Sequence, residues 1–225
     1  EKFFSFVLTD NTGIGFAQET VFHKRHTPMN ASFFTGHLSA FLAKTAHAGQ
    51  VKAIGIAVPG HYTKEHPHKI MTNNAYWQDF SLADIAAHVR APVFFSNNVH
   101  CMARAESLFY PSSDGDNSNF LFFHIGRGIH CTHMYHDDLY GKQNLKIGEI
   151  GHMIIQPDGE LCECGKRGCL QTYASEAWLL HKARLLYDSI ADTCLHQLAR
   201  NENEITLQTL LTAYELGDDL IVKLL

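Results

Sequence analysis

The chain has 225 residues, of which 45% are hydrophobic and 18% are charged, and this composition is typical of a soluble globular protein. Its formal net charge of −5 argues against nucleic-acid binding by this stretch. It has no run of about 18 apolar residues and no signal segment at its start, so we expect a cytoplasmic protein that does not associate with membranes.

Apolar and turn patterns in the first half predict strands that alternate with helices. Stretches 3–9 and 14–23 are rich in β-formers, and the turn between them, which begins at Asp10, predicts a hairpin. The apolar run 51–58 predicts a strand that is buried on both faces. The same reasoning predicts helices over 33–46, 82–89 and 98–108, a strand over 92–95, and loops over 61–74 and 111–119.

The second half begins with two predicted strands and ends with predicted helices. The strands span 120–125 and 129–135 and flank Gly126-Arg127-Gly128, and Ser175 is the expected N-cap of a helix over 176–190. Helical patterns continue over 192–200 and 207–225. This order predicts an α/β chain of two lobes, 1–96 and 97–225. The chain opens with Glu1 and closes on an apolar stretch without a stop signal, so we expect a piece of a longer protein.

One histidine and three cysteines have a spacing that favours a metal site. His152 is followed by Cys162, Cys164 and Cys169, and the glycines at 165 and 168 allow the backbone to turn tightly between them. Three thiolates and one imidazole are a frequent ligand set of structural zinc. The sequence therefore predicts a zinc loop; buried thiols or a disulfide pair are the alternatives.

The chain has 16 histidines, and two further groups could be drawn as metal sites. One group is His130, His133 and His136, and the other is His61, His66 and His68. Residues three apart in a strand point to opposite faces, so the first group should not converge on one ion. We expect both groups to be polar residues of strands and loops.

The segment around the predicted zinc loop resembles a known family signature. Gly-Glu-Ile-Gly-His at 148–152, then Cys-Glu-Cys-Gly-Lys-Arg-Gly-Cys-Leu-Gln at 162–171, is similar to the signature of the ROK family of repressors, open reading frames and kinases. The resemblance extends upstream to the stretch 54–60, which ends in Pro59-Gly60, and to Asn73-Asn74 and Asn97-Asn98. It covers most of 50–175.

The resemblance implies a two-lobed, actin-like ATPase (ribonuclease H-like) fold that binds sugar in its cleft. It implies that His152, Cys162, Cys164 and Cys169 bind Zn2+. It also implies a set of sugar-binding residues, namely Asn73, Asn97, Asn98, Glu149, His152 and Gln171. The family usually has glutamate at the last of these positions, and an amide there can still bond a hydroxyl group.

Two departures from the family's kinases argue against kinase activity. The kinases have Asn-Asp where this chain has Asn97-Asn98, and an amide cannot act as general base. Their glycine-rich phosphate loop corresponds to residues 126–132, where larger side chains follow Gly128. Arg127 could attract an anion, but a surface or lobe contact is the more usual role. The first phosphate motif of the kinases would lie before Glu1.

These features together predict the sugar-sensing and oligomerisation part of a ROK-type transcriptional regulator without catalytic activity. The resemblance implies a homodimer or tetramer that contacts DNA only through an N-terminal helix-turn-helix outside this sequence. Two alternatives stay open. One is an ATP-dependent sugar kinase whose base is another carboxylate, with Asp79 and Glu106 the nearest in sequence. The other is a paralogue that binds no sugar and only assembles with partners.

Overall fold

The computed structural model describes residues 2–23, 29–61, 69–72, 77, 80–110, 119–141, 147–189 and 192–225. Contacts between residues group the chain into two compact units, 1–102 and 103–225. The lobe boundary predicted near Ser96-Asn97 stays a prediction. Asn73 and most of the predicted loops over 61–74 and 111–119 lie outside the described residues.

The first unit begins with the predicted hairpin. Strands β1 (Lys2–Thr9) and β2 (Gly15–His23) pair antiparallel. The Asp10 side chain closes the turn, because its Oδ1 accepts hydrogen bonds from the Thr12 hydroxyl (2.7 Å) and from the backbone amides of Thr12 (2.8 Å) and Ile14 (3.0 Å). These bonds, the Thr12 hydroxyl first among them, lower the pKa of the Asp10 carboxyl. The prediction that Asp10 is a turn residue is confirmed.

Two capped helices and a parallel strand pair complete this unit. Asn30 caps α1 (Ala31–Ala43), and Ser81 caps α2 (Leu82–His88). Strand β3 (Ile54–Val58) pairs parallel with β4 (Val93–Asn97). The core of the unit is apolar and includes Phe6, Phe34, Phe41, Val58, Phe80 and Ile85.

The prediction that β3 is buried on both faces is wrong. Ile56 and Val58 are buried, but Gly55 and Ala57 are exposed. Side chains alternate along a strand, and the small residues fall together on the exposed face. A continuous apolar run therefore concealed an alternation between large and small residues.

Helix α3 (Asn98–Phe109) follows β4 directly, and the division between the two units falls within it. The second unit contains strands β5 (Phe120–Ile125), β6 (Ile129–Tyr135) and β7 (Asp138–Leu139), all antiparallel. This confirms the predicted strand pair around 126–128. His130 is buried, His133 packs against the Tyr140 ring, and His136 lies in the β6–β7 turn at φ 51°. These three histidines do not converge, as predicted.

After residue 170 the second unit is mostly helical. The helices are α4 (Gln171–Ala174), α5 (Glu176–Ser189), α6 (Leu195–Leu198), α7 (Leu207–Glu215) and α8 (Asp219–Leu224). Ser175 caps α5 as predicted, since its Oγ accepts a hydrogen bond from the Trp178 amide at 3.1 Å. Within the described residues, no helix is both long enough and apolar enough to cross a membrane.

The helix predicted over 207–225 is two helices. Gly217 interrupts it at φ +78°, a left-handed conformation that ends α7. The next residue, Asp218, is buried and caps α8 through bonds from the amides of Leu220 and Ile221. The apolar core of these helices includes Ala183, Leu195, Ile205, Leu210 and Ile221.

Candidate metal centre and adjoining ligand site

The four predicted zinc ligands meet at one point of the second unit. The Nδ1 or Nε2 of His152 and the Sγ atoms of Cys162, Cys164 and Cys169 all lie within 4.8 Å of one another. Cys162 and Cys169 are buried, and His152 and Cys164 are partly buried. In the part of the chain that the structure describes, this is the one such cluster of metal-ligating side chains.

The distances in this cluster fit a tetrahedral zinc ion. Zn–S bonds of about 2.3 Å and Zn–N bonds of about 2.0–2.1 Å at tetrahedral angles place two sulfurs about 3.8 Å apart and a sulfur and a nitrogen about 3.6 Å apart. The structure has 3.7 Å between the sulfurs of Cys164 and Cys169, and 3.5 Å between Cys162 Sγ and His152 Nδ1. The donor set and its geometry therefore fit a closed structural site.

The disulfide alternative does not hold for these cysteines. A disulfide bond is about 2.05 Å long, and all six cysteines of the chain are free thiols. Burial, together with hydrogen bonds to the sulfurs of Cys164 and Cys162 and the charge on those sulfurs, raises the pKa of Cys169 to about 12. Burial acts in the same direction at Cys164, but the Lys166 amide and the neighbouring thiols outweigh it and lower the pKa of that thiol. A bound cation would remove these protons.

Backbone contacts hold the loop in the conformation that gathers the sulfurs. The Gly168 carbonyl accepts from the amides of Ile155 (2.8 Å) and Gln156 (3.2 Å), and the Cys162 amide donates to the Lys166 carbonyl (2.8 Å). Gly168 has φ +72°, and a Cβ there would lie 1.5 Å from the backbone carbonyl oxygen of Gln156. Only glycine fits at this position, which explains why the sequence motif needs it.

Glu149 lies between two imidazoles beside the metal cluster. Its Oε1 is 3.5 Å from Nδ1 of His130, and its Oε2 is 3.8 Å from Nε2 of His152. The carboxylate side chain is 36% exposed. His152 thus presents one ring nitrogen to the metal cluster and the other to a carboxylate, which is the usual way that proteins orient a metal-binding histidine.

His130 was not among the sequence-predicted site residues. In β6 it shares the buried face with Thr132 and Met134, and its ring reaches Glu149, 19 residues later in the chain. A histidine on the inward face of a strand is the signal that could have drawn attention to it, since buried polar groups need partners.

Gln171 joins the metal loop to the β5–β6 turn. The side chain is buried, and its Nε2 lies 3.6 Å from Cys162 Sγ and 3.4 Å from Glu163 Oε1. Glu163 Oε2 pairs in turn with Arg127 at 3.2 Å. Arg127 is therefore bonded within the second unit.

The predicted sugar-binding asparagines belong to the first unit. Asn97 Oδ1 accepts from the amides of Val99 (2.9 Å) and His100 (3.2 Å), and its Nδ2 donates to the Gly60 carbonyl (3.1 Å). These bonds make Asn97 the cap of α3. Asn98 is the first residue of that helix and is partly buried. The sugar-binding roles of both residues stay predictions.

Comparison with known proteins gives the family of the chain. The ROK family matches residues 3–225. The xylose repressor of Bacillus subtilis (strain 168) is 36% identical over 128 residues, 56% of this chain and 33% of that protein. The glucokinase of Halalkalibacterium halodurans is 30% identical over 148 residues, 65% of this chain and 43% of that protein. The chain thus spans well under half the length of these relatives.

A solved structure shows the fold. The crystal structure of a ROK family transcriptional regulator, a homologue of the E. coli MLC protein, superposes with a TM-score of 0.77 at 24% identity. The match covers 99% of this chain and 55% of that one. The predicted α/β, actin-like fold is therefore confirmed.

Proposed function

The chain belongs to the ROK family, and we propose that it is the sugar-sensing effector part of a transcriptional regulator of that family. Its relatives include both repressors and glucokinases, so the family alone does not choose between the two activities. The choice rests on how individual residues of this chain could act on a sugar and on a nucleotide.

The observation that carries the sensor proposal is the environment of Glu149. A sugar is recognised by acceptors that point in fixed directions toward its hydroxyl groups. The Glu149 carboxylate is partly exposed. One of its oxygens faces the His130 imidazole, and the other faces the His152 imidazole. This arrangement orients a carboxylate that is partly exposed to solvent, and a sugar hydroxyl group would donate to it there. Asn97, Asn98, His152, Gln171 and Asn73 are proposed as further sugar contacts.

The absence of kinase activity is part of the proposal. Asn98, at the position of the kinases' base, carries an amide that cannot remove a proton from a sugar hydroxyl group, and a positioned base typically contributes about 10²- to 10⁴-fold in rate. After Gly128, the side chains of Ile129 and His130 are buried in β6. Side chains in this stretch block the close approach by which the backbone N–H groups of a glycine-rich loop bind phosphates.

We propose zinc as the occupant of the metal cluster. When bound, the ion would cross-link the turn that carries Glu149 and His152 to the cysteine loop. His152, Cys162, Cys164 and Cys169 would hold it. The residues that face the sugar would then be fixed before the ligand arrives, which lowers the ordering cost of binding.

Isothermal titration calorimetry of the full-length protein tests the sensor proposal. Xylose is the first sugar to use, because relatives are named xylose repressors, and glucose and N-acetylhexosamines follow. We expect saturable heat from one sugar and none from Mg·ATP. Glu149→Gln should weaken sugar binding about tenfold or more, as charge-assisted bonds are worth about 1.5–3 kcal/mol. The exposed Glu215→Gln is the matched control.

The calorimetric outcomes separate the candidate functions. Nucleotide binding that strengthens when sugar is present would favour the alternative, an ATP-dependent sugar kinase, which the likeness to glucokinases supports. Equal sugar binding by the wild type and Glu149→Gln would remove Glu149 from the site. Absence of binding by either ligand would contradict the sensor proposal and favour a protein that only assembles. A second test is whether the residues before Glu1 in the full-length protein encode a helix-turn-helix.

A further inference from the structure

We propose that Gln171 is a positioning residue for the metal centre, which it supports by donating an N–H···S hydrogen bond to the Cys162 sulfur. The inference rests on the metal-binding part of the proposed function. It assigns the side-chain amide nitrogen to the metal loop and leaves the amide oxygen for the proposed contact with a sugar hydroxyl group.

The first support is the position of the amide nitrogen. Gln171 Nε2 lies 3.6 Å from Cys162 Sγ and 3.4 Å from Glu163 Oε1, so each of its two hydrogens has one acceptor. The side chain is only 8% exposed. Water therefore has little access to compete with these two bonds.

The second support is the packing around the oxygen end. A Cβ on Gly151 would lie 2.8 Å from Gln171 Oε1, and a Cβ on Gly128 would lie 3.1 Å from the same atom. The oxygen therefore sits in a space that two glycines leave open. Chemistry fixes the same orientation, because a thiolate and a carboxylate are both acceptors and only the NH2 end of the amide can face them.

The same geometry favours glutamine over glutamate at position 171. A glutamate there would bring a second carboxylate toward Glu163 and toward a metal-bound Cys162 thiolate. Like charges at this distance repel each other, and an ionised carboxylate has no hydrogen to donate. Glutamine removes the repulsion and supplies the donor. In this chain Gln171 is therefore complementary to Glu163, the residue between Cys162 and Cys164.

The bond has a consequence for the metal as well as for the loop. An N–H group that faces a thiolate stabilises negative charge on the sulfur and holds the sulfur in one direction. Outer contacts of this kind are typically worth about 10- to 100-fold in metal affinity. Glu163 also pairs with Arg127, so the network reaches the turn between β5 and β6.

The test uses Co²⁺ and Zn²⁺ with the full-length protein and three variants. Gln171→Met keeps the size of the side chain and removes both N–H donors, whereas Gln171→Glu adds a charge as well. Gln197→Glu makes the same charge change at an exposed position on α6 and is the matched control. Zinc affinity is measured by competition with a chelator. The sulfur-to-cobalt charge-transfer band is recorded on the Co²⁺-loaded proteins.

We expect Gln171→Met to weaken zinc binding about 10- to 100-fold, and Gln171→Glu to weaken it more. In Gln171→Met the charge-transfer band should move to longer wavelength, because a sulfur without its hydrogen bond gives up an electron more easily. Gln197→Glu should match the wild type in both measurements. The position of the band reports on loaded protein alone, so a smaller folded fraction would change its height and leave its wavelength in place.

Two results would overturn the inference, and they are distinguishable. Tight binding of Co²⁺ by the wild type, with the same affinity and the same band in Gln171→Met, would leave the metal site intact and remove Gln171 from it. A wild-type protein that binds neither Co²⁺ nor Zn²⁺ would refute the metal proposal and this inference together.

Discussion

Replacing Gly148 by alanine is the sharpest test of how the ligand site is built. Gly148 precedes Glu149 and has φ +92°, a conformation that costs other residues about 1–2 kcal/mol. A Cβ there would lie 2.3 Å from the Cys131 carbonyl oxygen and 2.7 Å from His130 Nε2. The oxygen belongs to the backbone of a paired strand, so it has little freedom to move away.

The expected loss of folding free energy is the sum of the cost of the backbone conformation and the cost of the close contacts of the added Cβ. Overpacking in a well-packed interior costs about 1–3 kcal/mol, which together with the backbone conformation gives about 2–5 kcal/mol for Gly148→Ala. Gly217→Ala is the control, because Gly217 has φ +78° and a Cβ there would meet nothing within 4 Å. That variant should lose only the conformational part, about 1–2 kcal/mol.

Urea unfolding of the full-length protein, followed by circular dichroism, measures both variants, and calorimetry measures their sugar binding. We expect Gly148→Ala to lose sugar affinity as well as stability. The Gly148 carbonyl accepts from the amides of Cys131 and Ile150, and any shift moves Glu149 away from His130. If both variants lose the same free energy of unfolding, the close approach to β6 does not constrain this turn and the reasoning is wrong.

Three further predictions follow from other residues. Asn98→Asp should produce no sugar phosphate with Mg·ATP in a product assay; phosphorylation at a rate near that of a kinase would mean that only the base is missing. Cys169→Ser should contain less than one zinc per chain by mass spectrometry and should unfold at a lower temperature; the exposed Thr206→Ser should keep its zinc. Asp218→Ala should lose about 1–3 kcal/mol at pH 7, because a buried carboxylate and its four donors lose their bonds. Burial raises the pKa of Asp218, but the Thr193 hydroxyl and the amides of Cys194, Ile221 and Leu220 outweigh it and hold the pKa below the usual value of an aspartate. The carboxylate therefore stabilises the fold fully above the pKa of the unfolded chain, and the difference from the wild type should shrink as the pH falls through the folded pKa; a difference independent of pH would contradict this reading.

Local signals predicted the elements well where one residue decides a boundary. Asp10 closes a turn with its own side chain and Ser175 caps α5, and both contacts span four residues or fewer. The continuous helix over 207–225 was wrong because apolar periodicity continues across the break, although Gly217 and Asp218 are a common pair of stop and start residues. The prediction that β3 is buried on both faces was wrong because apolar character alone does not report side-chain size, and Gly55 and Ala57 are small.

The sequence by itself determined which side chains form the candidate metal cluster, because His152 and the three cysteines lie within 18 consecutive residues and the glycines between them permit tight turns. The tertiary structure decided which groups surround them. His130 reaches Glu149 from a neighbouring strand, and the Gln171 amide reaches Cys162 from the start of α4. Such contacts depend on strand register and on the path of the loop through space. A hydrogen bond needs its atoms within a few tenths of an ångström, and spacing along the chain does not fix positions to that accuracy.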